Sequence, residues 1–443
     1  MGGKTPVKNV SVGKVKGNIK SFSREVAPKL DPAARNMCLK CRGAKKLCGK
    51  ERCPVLEKYY SRMGEGKDKR FDTKTIEGNS PPSVFIGRYN YPRVNIGPLV
   101  PPEKGDTSIY SQPEEWFGSA DMKDIIRMRS SLARGKKKLS KDVDIRNLGG
   151  EDNEIRYLAL AKNPAETEVR FKKSLDDGIK LDGRSQPHGP SAPMESFRRG
   201  TMNSDSRLED VFYDTDLGAE EGVKRLYRKG VPVSRIQDIF MVGGTGVKGR
   251  RKFVPTRWSI TAVDDILGKD MRRNVKTYQR IDEWRVYKTN YLDNQWVVVF
   301  TPESWRYELI EAFYPETTWN PSRDSITIFG DHEEFDGRSE YASIGGCYYS
   351  ARLAVLEKME EERKQAGAIV LREAKPGYIL PVGVWNVRES VRSALKERPM
   401  KFKGRKQTFD YLKSVLGLEF EEWTSVSKLL TKREKQESLK YFT

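Results

Sequence analysis

The sequence predicts an α+β protein of mixed helices and antiparallel or mixed sheet, with a small four-cysteine module at its amino terminus. Three observations carry that class. Helix-forming and strand-forming segments intermix without the regular βαβ alternation of a doubly wound fold. Residues 284–300 read as a β-hairpin feeding a buried strand. Four of the five cysteines, Cys38, Cys41, Cys48 and Cys53, fall in one short run, while Cys347 stands alone.

With 443 residues, 37% hydrophobic and 33% charged, the chain is long enough for two or three domains and can bury a large core. Residues 1–30 carry seven lysines and arginines against the single acid Glu25, with little apolar periodicity, and predict a disordered basic arm. Residues 31–62 form the cysteine module. Its spacing, Cys-x2-Cys-x6-Cys-x4-Cys, is compact enough for four thiolates to converge on one ion, and tetrahedral Zn(II) suits it best. Lys40, Arg42, Lys45, Lys46, Lys50 and Arg52 surround the ligands and favour the thiolate, the form that binds metal. Four cysteine ligands leave no open coordination position, so the zinc would be structural. The Cys53-Pro54 ending is shared with ferredoxin runs, which makes an iron–sulfur cluster the alternative, although the x6 and x4 gaps differ.

The core is expected in two parts, 63–270 and 271–425. In the first, residues 80–102 contain short β-type runs broken by Gly and Pro, and predict extended chain with sharp turns. Arg88, Tyr89, Tyr91 and Arg93 alternate there, a composition that stacks bases and pairs phosphates. The same residues also fit an edge strand whose tyrosines cap the core. Residues 121–134 predict a helix running into a basic loop at 135–138, and residues 218–229 a helix stopped at Gly230. Residues 243–252 place four glycines before and among Lys248, Arg250, Arg251 and Lys252. No Gly-Lys-Ser/Thr sequence is present, so a flexible hairpin gripping nucleic-acid phosphates is expected instead of a nucleotide P-loop.

In the second part, residues 284–291 alternate, Asp293-Asn294 turns, and 295–300 returns. Residues 351–365 predict a helix closing at Gly367, followed by strands at 368–371 and 378–382 around Lys375-Pro376-Gly377, a helix from near Trp385, and another at 408–416. Residues 426–443 read as a basic linker and a terminal peptide. Gln436, Leu439 and Phe442 stand at i, i+3 and i+6, so one helical turn would gather Leu439 and Phe442 into an apolar plug with Gln436 as polar anchor. That pattern resembles the PIP motif, the peptide that docks proteins on the PCNA-type replication sliding clamp. Thr443 occupies the place of that motif's second aromatic.

The formal net charge of +20 makes a polyanion, nucleic acid first, the expected partner class. No apolar run approaches bilayer length and the first residues lack an apolar signal core, so a membrane partner is not expected.

Three long stretches in order resemble the archaeal Nre family of DNA repair proteins: Cys38-Leu-Lys-Cys41-Arg-Gly with Cys48-Gly-Lys and Cys53-Pro; Pro81-Pro82-Ser83-Val84-Phe85 through Gly87-Arg88-Tyr89 to Val94-Asn95-Ile96-Gly97-Pro98; and the run from Val254-Pro255-Thr256-Arg257-Trp258 to Asp264-Asp265. The resemblance implies an archaeal cytoplasmic protein in DNA damage repair, with a zinc-finger-like amino terminus and, in one branch, a clamp-binding tail.

The leading functional expectation is a repair factor that binds DNA through Arg88, Arg93, Arg250, Arg251, Lys252 and Arg257, and the clamp through Gln436, Leu439 and Phe442. The first alternative is a metal-dependent, nuclease-like enzyme. Asp264 and Asp265, or Asp331 and Glu333, would then hold a divalent ion against a phosphate. Cys347 has only His188 and His332 in the whole chain as imidazole partners, and reads as a small buried residue. A further alternative is RNA or ribosome binding, since charge alone does not separate the two polyanions.

Overall fold

The computed structural model describes residues 71, 73–89, 91–140, 148–175, 188–315, 317, 320, 325–378 and 381–431. The basic arm, the four cysteines and the terminal peptide with Gln436, Leu439 and Phe442 lie outside them. The chain divides into two compact units, with the boundary between Leu267 and Gly268.

The first unit is built on a six-stranded sheet. In chain order its strands are β1 (Thr75–Ser80), β2 (Val84–Gly87), β3 (Arg93–Val100), β4 (Ala133–Ser140), β5 (Ala165–Phe171) and β6 (Ser191–Arg199), in the spatial order β1-β5-β6-β4-β3-β2. Every pairing is antiparallel except β4 with β6. Side-chain alternation drives the strands: along β5, Ala165, Thr167, Val169 and Phe171 point inward while their neighbours face out. The helices are α1 (Met122–Ser130), α2 (Gly150–Leu158), α3 (Ser206–Tyr213), α4 (Ala219–Arg228), α5 (Val233–Met241) and α6 (Thr256–Val275), the last beginning in this unit. α1 starts on a capping box, in which Asp121 accepts from Asp124 N at 2.9 Å and Asp124 reaches back to Asp121 N at 3.2 Å. α4 stops as expected before Gly230, whose φ of +70° suits glycine.

One expectation is corrected here. Residues 135–138 are not a loop after a long helix: α1 ends at Ser130 and the lysines lie in β4, paired with β3 on one side and β6 on the other. The approach is so close that a Cβ on Gly97 would fall 1.8 Å from the Gly135 carbonyl oxygen, so only glycine fits at 97.

The second unit holds a six-stranded sheet in the order β11-β10-β13-β9-β8-β14, from β8 (Trp284–Tyr291), β9 (Asn294–Thr301), β10 (Arg306–Phe313), β11 (Thr327–Glu333), β13 (Gly367–Ala374) and β14 (Met400–Phe402). Only β10 and β13 run parallel. β7 (Gln279–Arg280) and β12 (Lys364–Gln365) form a separate two-stranded pair. The 284–300 hairpin is present. Its turn is Leu292-Asp293, both at positive φ, and Asn294 opens β9 while its amide donates to the Tyr291 and Leu292 carbonyls.

This sheet is covered on both faces. α7 (Gly346–Glu362) and α8 (Trp385–Lys396) pack together over one. α9 (Arg405–Val415) and α10 (Phe420–Val426) cover the other, where Leu412, Leu416, Phe420 and Trp423 meet Trp284, Val297, Val299, Ile310, Ile369 and Leu371. α7 ends earlier than its sequence suggests, because Arg363 turns left-handed at φ +50° and releases Lys364 and Gln365 into β12. Among the described residues of 378–382 there is no strand. Val382 N instead donates to the Tyr378 hydroxyl, folding the backbone around a buried ring.

Candidate nucleic-acid interface

Two of the arginines singled out from sequence converge in the first unit. β2 delivers Arg88 to the β2–β3 turn, and α6 carries Arg257 in its first turn. The two elements are tied by Ile86 N, which donates to Thr256 Oγ1 at 2.9 Å. Arg88 is held below the usual guanidinium range, first by partial burial and then by the charge of Arg257. No acid occupies the first turn of α6, so the positive end of the helix adds to the two guanidinium groups unopposed. Among the described residues Arg88, Arg93 and Arg257 are exposed and form no ion pair.

Aromatic rings flank these charges. Tyr89 is 82% exposed and Tyr91 40% exposed, and the Tyr91 ring meets Trp258 edge-on at a centroid distance of 4.8 Å. The turn therefore presents an open π-face beside cations, the combination that stacks an unpaired base while pairing its phosphate. Trp258 was not legible as part of this surface, because the sequence places it some 170 residues from Tyr91 and only the fold joins them.

The cationic run at 250–252 divides. Arg250 and Lys252 are exposed, but Arg251 is spent internally. Its guanidinium donates to the carbonyls of Gly246 at 2.6 Å, Phe212 at 2.5 Å, Val211 at 3.4 Å and Asp214 at 2.6 Å, closing the carboxyl end of α3. Residues 243–252 are thus an anchored turn in place of the flexible hairpin expected, and four of the five N–H donors of Arg251 are engaged by backbone carbonyls.

The carboxylates considered for metal-assisted catalysis have other occupations. Asp264 is fully buried in the first unit and accepts from Gln237 Nε2 at 3.3 Å. Asp265 is its neighbour on α6, so the two side chains project about 100° apart instead of sharing a face. In the second unit, Asp331 bonds Arg338 at 3.0 Å and Ser343 N at 2.6 Å, and lies below the usual carboxylate range despite its burial. Glu333 accepts from Arg272 and Trp305 on one oxygen and from Arg352 and Tyr348 on the other. No group of three or more His, Cys, Asp or Glu side chains that could hold an ion occurs among the described residues. Cys347 is half-buried, and its thiol lies within electrostatic reach of Arg372 and Tyr378. No helix among the described residues is long and apolar enough to cross a membrane.

Comparison with known proteins bears on both units. Residues 47–320 match the family described as archaeal Nre, N-terminal, and residues 333–442 match archaeal Nre, C-terminal. The DNA repair protein NreB of Archaeoglobus fulgidus is 39% identical over 407 residues, covering 91% of this chain and 98% of the relative. NreA of the same organism is 36% identical over 366 residues, 82% of this chain and 90% of its own. NreA of Haloferax volcanii is 34% identical over 341 residues, 74% and 80% respectively. No solved structure matches the chain. With both family halves matched in order, and relatives aligned along most of their own length, this chain belongs to the archaeal Nre family.

Proposed function

We propose that this protein is a DNA repair factor that holds DNA at the β2–β3 turn and the amino end of α6. The observation that carries the reading is the meeting of Arg88 and Arg257, two exposed guanidinium groups without counter-ions, beside the exposed ring of Tyr89. Their mutual repulsion is moderated because both groups are exposed to solvent, and a phosphate placed beside them would relieve it. The relatives' names, DNA repair proteins NreA and NreB, give the polyanion its class. Arg93, Arg250 and Lys252 extend the positive surface of the chain, and a net charge of +20 supports attraction at long range.

In this reading Gln436, Leu439 and Phe442 recruit the sliding clamp, and Cys38, Cys41, Cys48 and Cys53 hold a structural zinc ion. The test is fluorescence anisotropy of the full chain with labelled single-stranded, nicked and duplex DNA and an RNA hairpin, each over a salt series. Combining R88Q with R257Q should lower the salt slope by about 2 and weaken binding to every sequence alike. An unchanged slope would remove this surface from the proposal. Equal affinity for the RNA hairpin, with no preference among the DNAs, would move the protein to the RNA-binding class.

A further inference from the structure

Two other arginines of the first unit lie within electrostatic reach of each other and form no ion pair among the described residues. Arg129 stands near the end of α1, with its Cζ 4.8 Å from the centroid of the Trp116 ring. Arg134, near the start of β4, lays its Cζ 4.2 Å over the ring of Phe85 on β2. It reaches that ring across β3, where Phe85 is paired with Gly97 and no side chain intervenes. Both residues are half-buried, open to water on one side.

Neither side chain makes a hydrogen bond or an ion pair among the described residues, and the Nε atom of each is sealed from solvent without an acceptor. Burial holds Arg129 down at about 10, against the opposing pull of Asp238. Burial and the neighbouring Arg129 charge hold Arg134 at about 9. Asp238, the acid that acts on Arg129, is engaged by the Ser83 hydroxyl at 3.1 Å and by Arg235 at 3.8 Å. A buried guanidinium without an acceptor is costly to keep, and two side by side are costlier. The aromatic rings hold the flat faces of both groups, and the Nη groups, which are not sealed as the Nε atoms are, present paired donors that can grip a tetrahedral oxyanion.

We propose that Arg129 and Arg134 form a half-buried oxyanion site that takes a phosphate group. The phosphate can belong to a nucleic-acid strand end or to a small free phosphate, and the chemistry of recognition is the same. The inference stands apart from the DNA-binding reading, because its first test contains no nucleic acid.

Inorganic phosphate is titrated into the full chain by calorimetry at constant ionic strength, with chloride as the control. Saturable binding above the chloride control is expected, weakened at least about tenfold in R129Q and in R134K, which keeps the charge but loses the fork. R198Q, an exposed change away from every proposed contact, should bind as the parent does. Phenylglyoxal labelling of the unaltered protein, mapped by mass spectrometry, covers the case of a variant that does not fold: phosphate should slow modification of Arg129 and Arg134 and leave exposed Arg198 unaffected. Absence of both saturable binding and protection overturns the site, as does full retention of binding in folded R134K. A 5′-phosphorylated oligonucleotide that outbinds its 5′-hydroxyl twin, with the preference lost in R134K, identifies the ligand as a strand end. Equal binding of the two oligonucleotides alongside saturable phosphate identifies a free phosphate.

Discussion

Arg352 donates to Glu333 Oε2 at 2.8 Å in a place where the two side chains are 1% and 0% exposed. With Arg272, Trp305 and Tyr348 as further donors, both oxygens of Glu333 are filled, and the carboxylate joins the end of β11 to α7. E333A should take the carboxylate away from the buried guanidinium of Arg352 and cost about 3–5 kcal/mol in urea denaturation. Magnesium or manganese should not shift the parent's midpoint through this residue, since no lone pair is open to them. A metal-dependent stabilisation that E333A abolishes would return Glu333 to the role of an ion ligand.

Glu308 does similar work on the opposite face of the same sheet. It takes the Ser427 hydroxyl at 2.5 Å, Lys428 N at 2.7 Å and Leu429 N at 3.2 Å, so one buried carboxylate caps the turn that follows α10. S427A should cost about 1–2 kcal/mol and E308A more, because the second change orphans two backbone donors. Hydrogen exchange should localise the loss to residues 420–431. Protection spread evenly over the unit would show that the cap is not what holds the end of the chain down.

Much of this was legible in the sequence, and the exceptions share a cause. The 284–300 hairpin alternates strongly enough to declare itself, and Gly230 announces the end of α4. Lys136, Lys137 and Lys138 have the composition of a loop and become strand only because β3 and β6 supply partners from elsewhere. Arg251 looks identical to Arg250 in sequence. Its four carbonyl acceptors come from residues 211–214 and 246, which local reading does not bring together. Likewise Arg88 was a candidate on composition, but its neighbour Arg257 comes through the bond from Ile86 to Thr256, across 170 residues of sequence.

That difference between adjacent arginines makes a prediction. R251Q should lower thermal stability, because buried carbonyl groups at the end of α3 lose their donor at about 1–3 kcal/mol. R250Q should leave stability within about 0.5 kcal/mol of the parent, as an exposed substitution does. If DNA contacts residue 250, its salt slope falls by about 1 while that of folded R251Q does not. A reduced slope in R251Q at full stability would mean the guanidinium leaves its carbonyls to meet DNA.

Asp238 sets a pH dependence. Burial pushes its carboxyl up to about 7, although Arg235 and the Ser83 hydroxyl both favour the charged form. The native state therefore keeps the proton through a range in which the unfolded chain has released it. Asp238 contributes most below about pH 4, and that contribution falls as pH climbs to about 7 and is flat above, with a total on the order of 4 kcal/mol. Denaturation midpoints across pH 4–8 should show the fall, and D238N, which cannot ionise, should flatten it. A fall of equal size in D238N would assign the titration to another group.

Removal of the metal tests the cysteine module separately from the two sheets. Four thiolates at Cys-x2-Cys-x6-Cys-x4-Cys spacing should bring about one zinc per chain by elemental analysis, and C38S or C48S should lose it. In a small zinc finger such a loss unfolds the domain, because binding free energy is folding free energy. Here each unit, among the described residues, has its own six-stranded sheet and buried core. Chelation should therefore release the ion while the main melting transition stays in place, with any change in DNA affinity coming from the basic residues around the thiolates. Iron or sulfide in place of zinc would make the module an iron–sulfur site, and a collapse of the main transition on chelation would show that the cores lean on the metal after all.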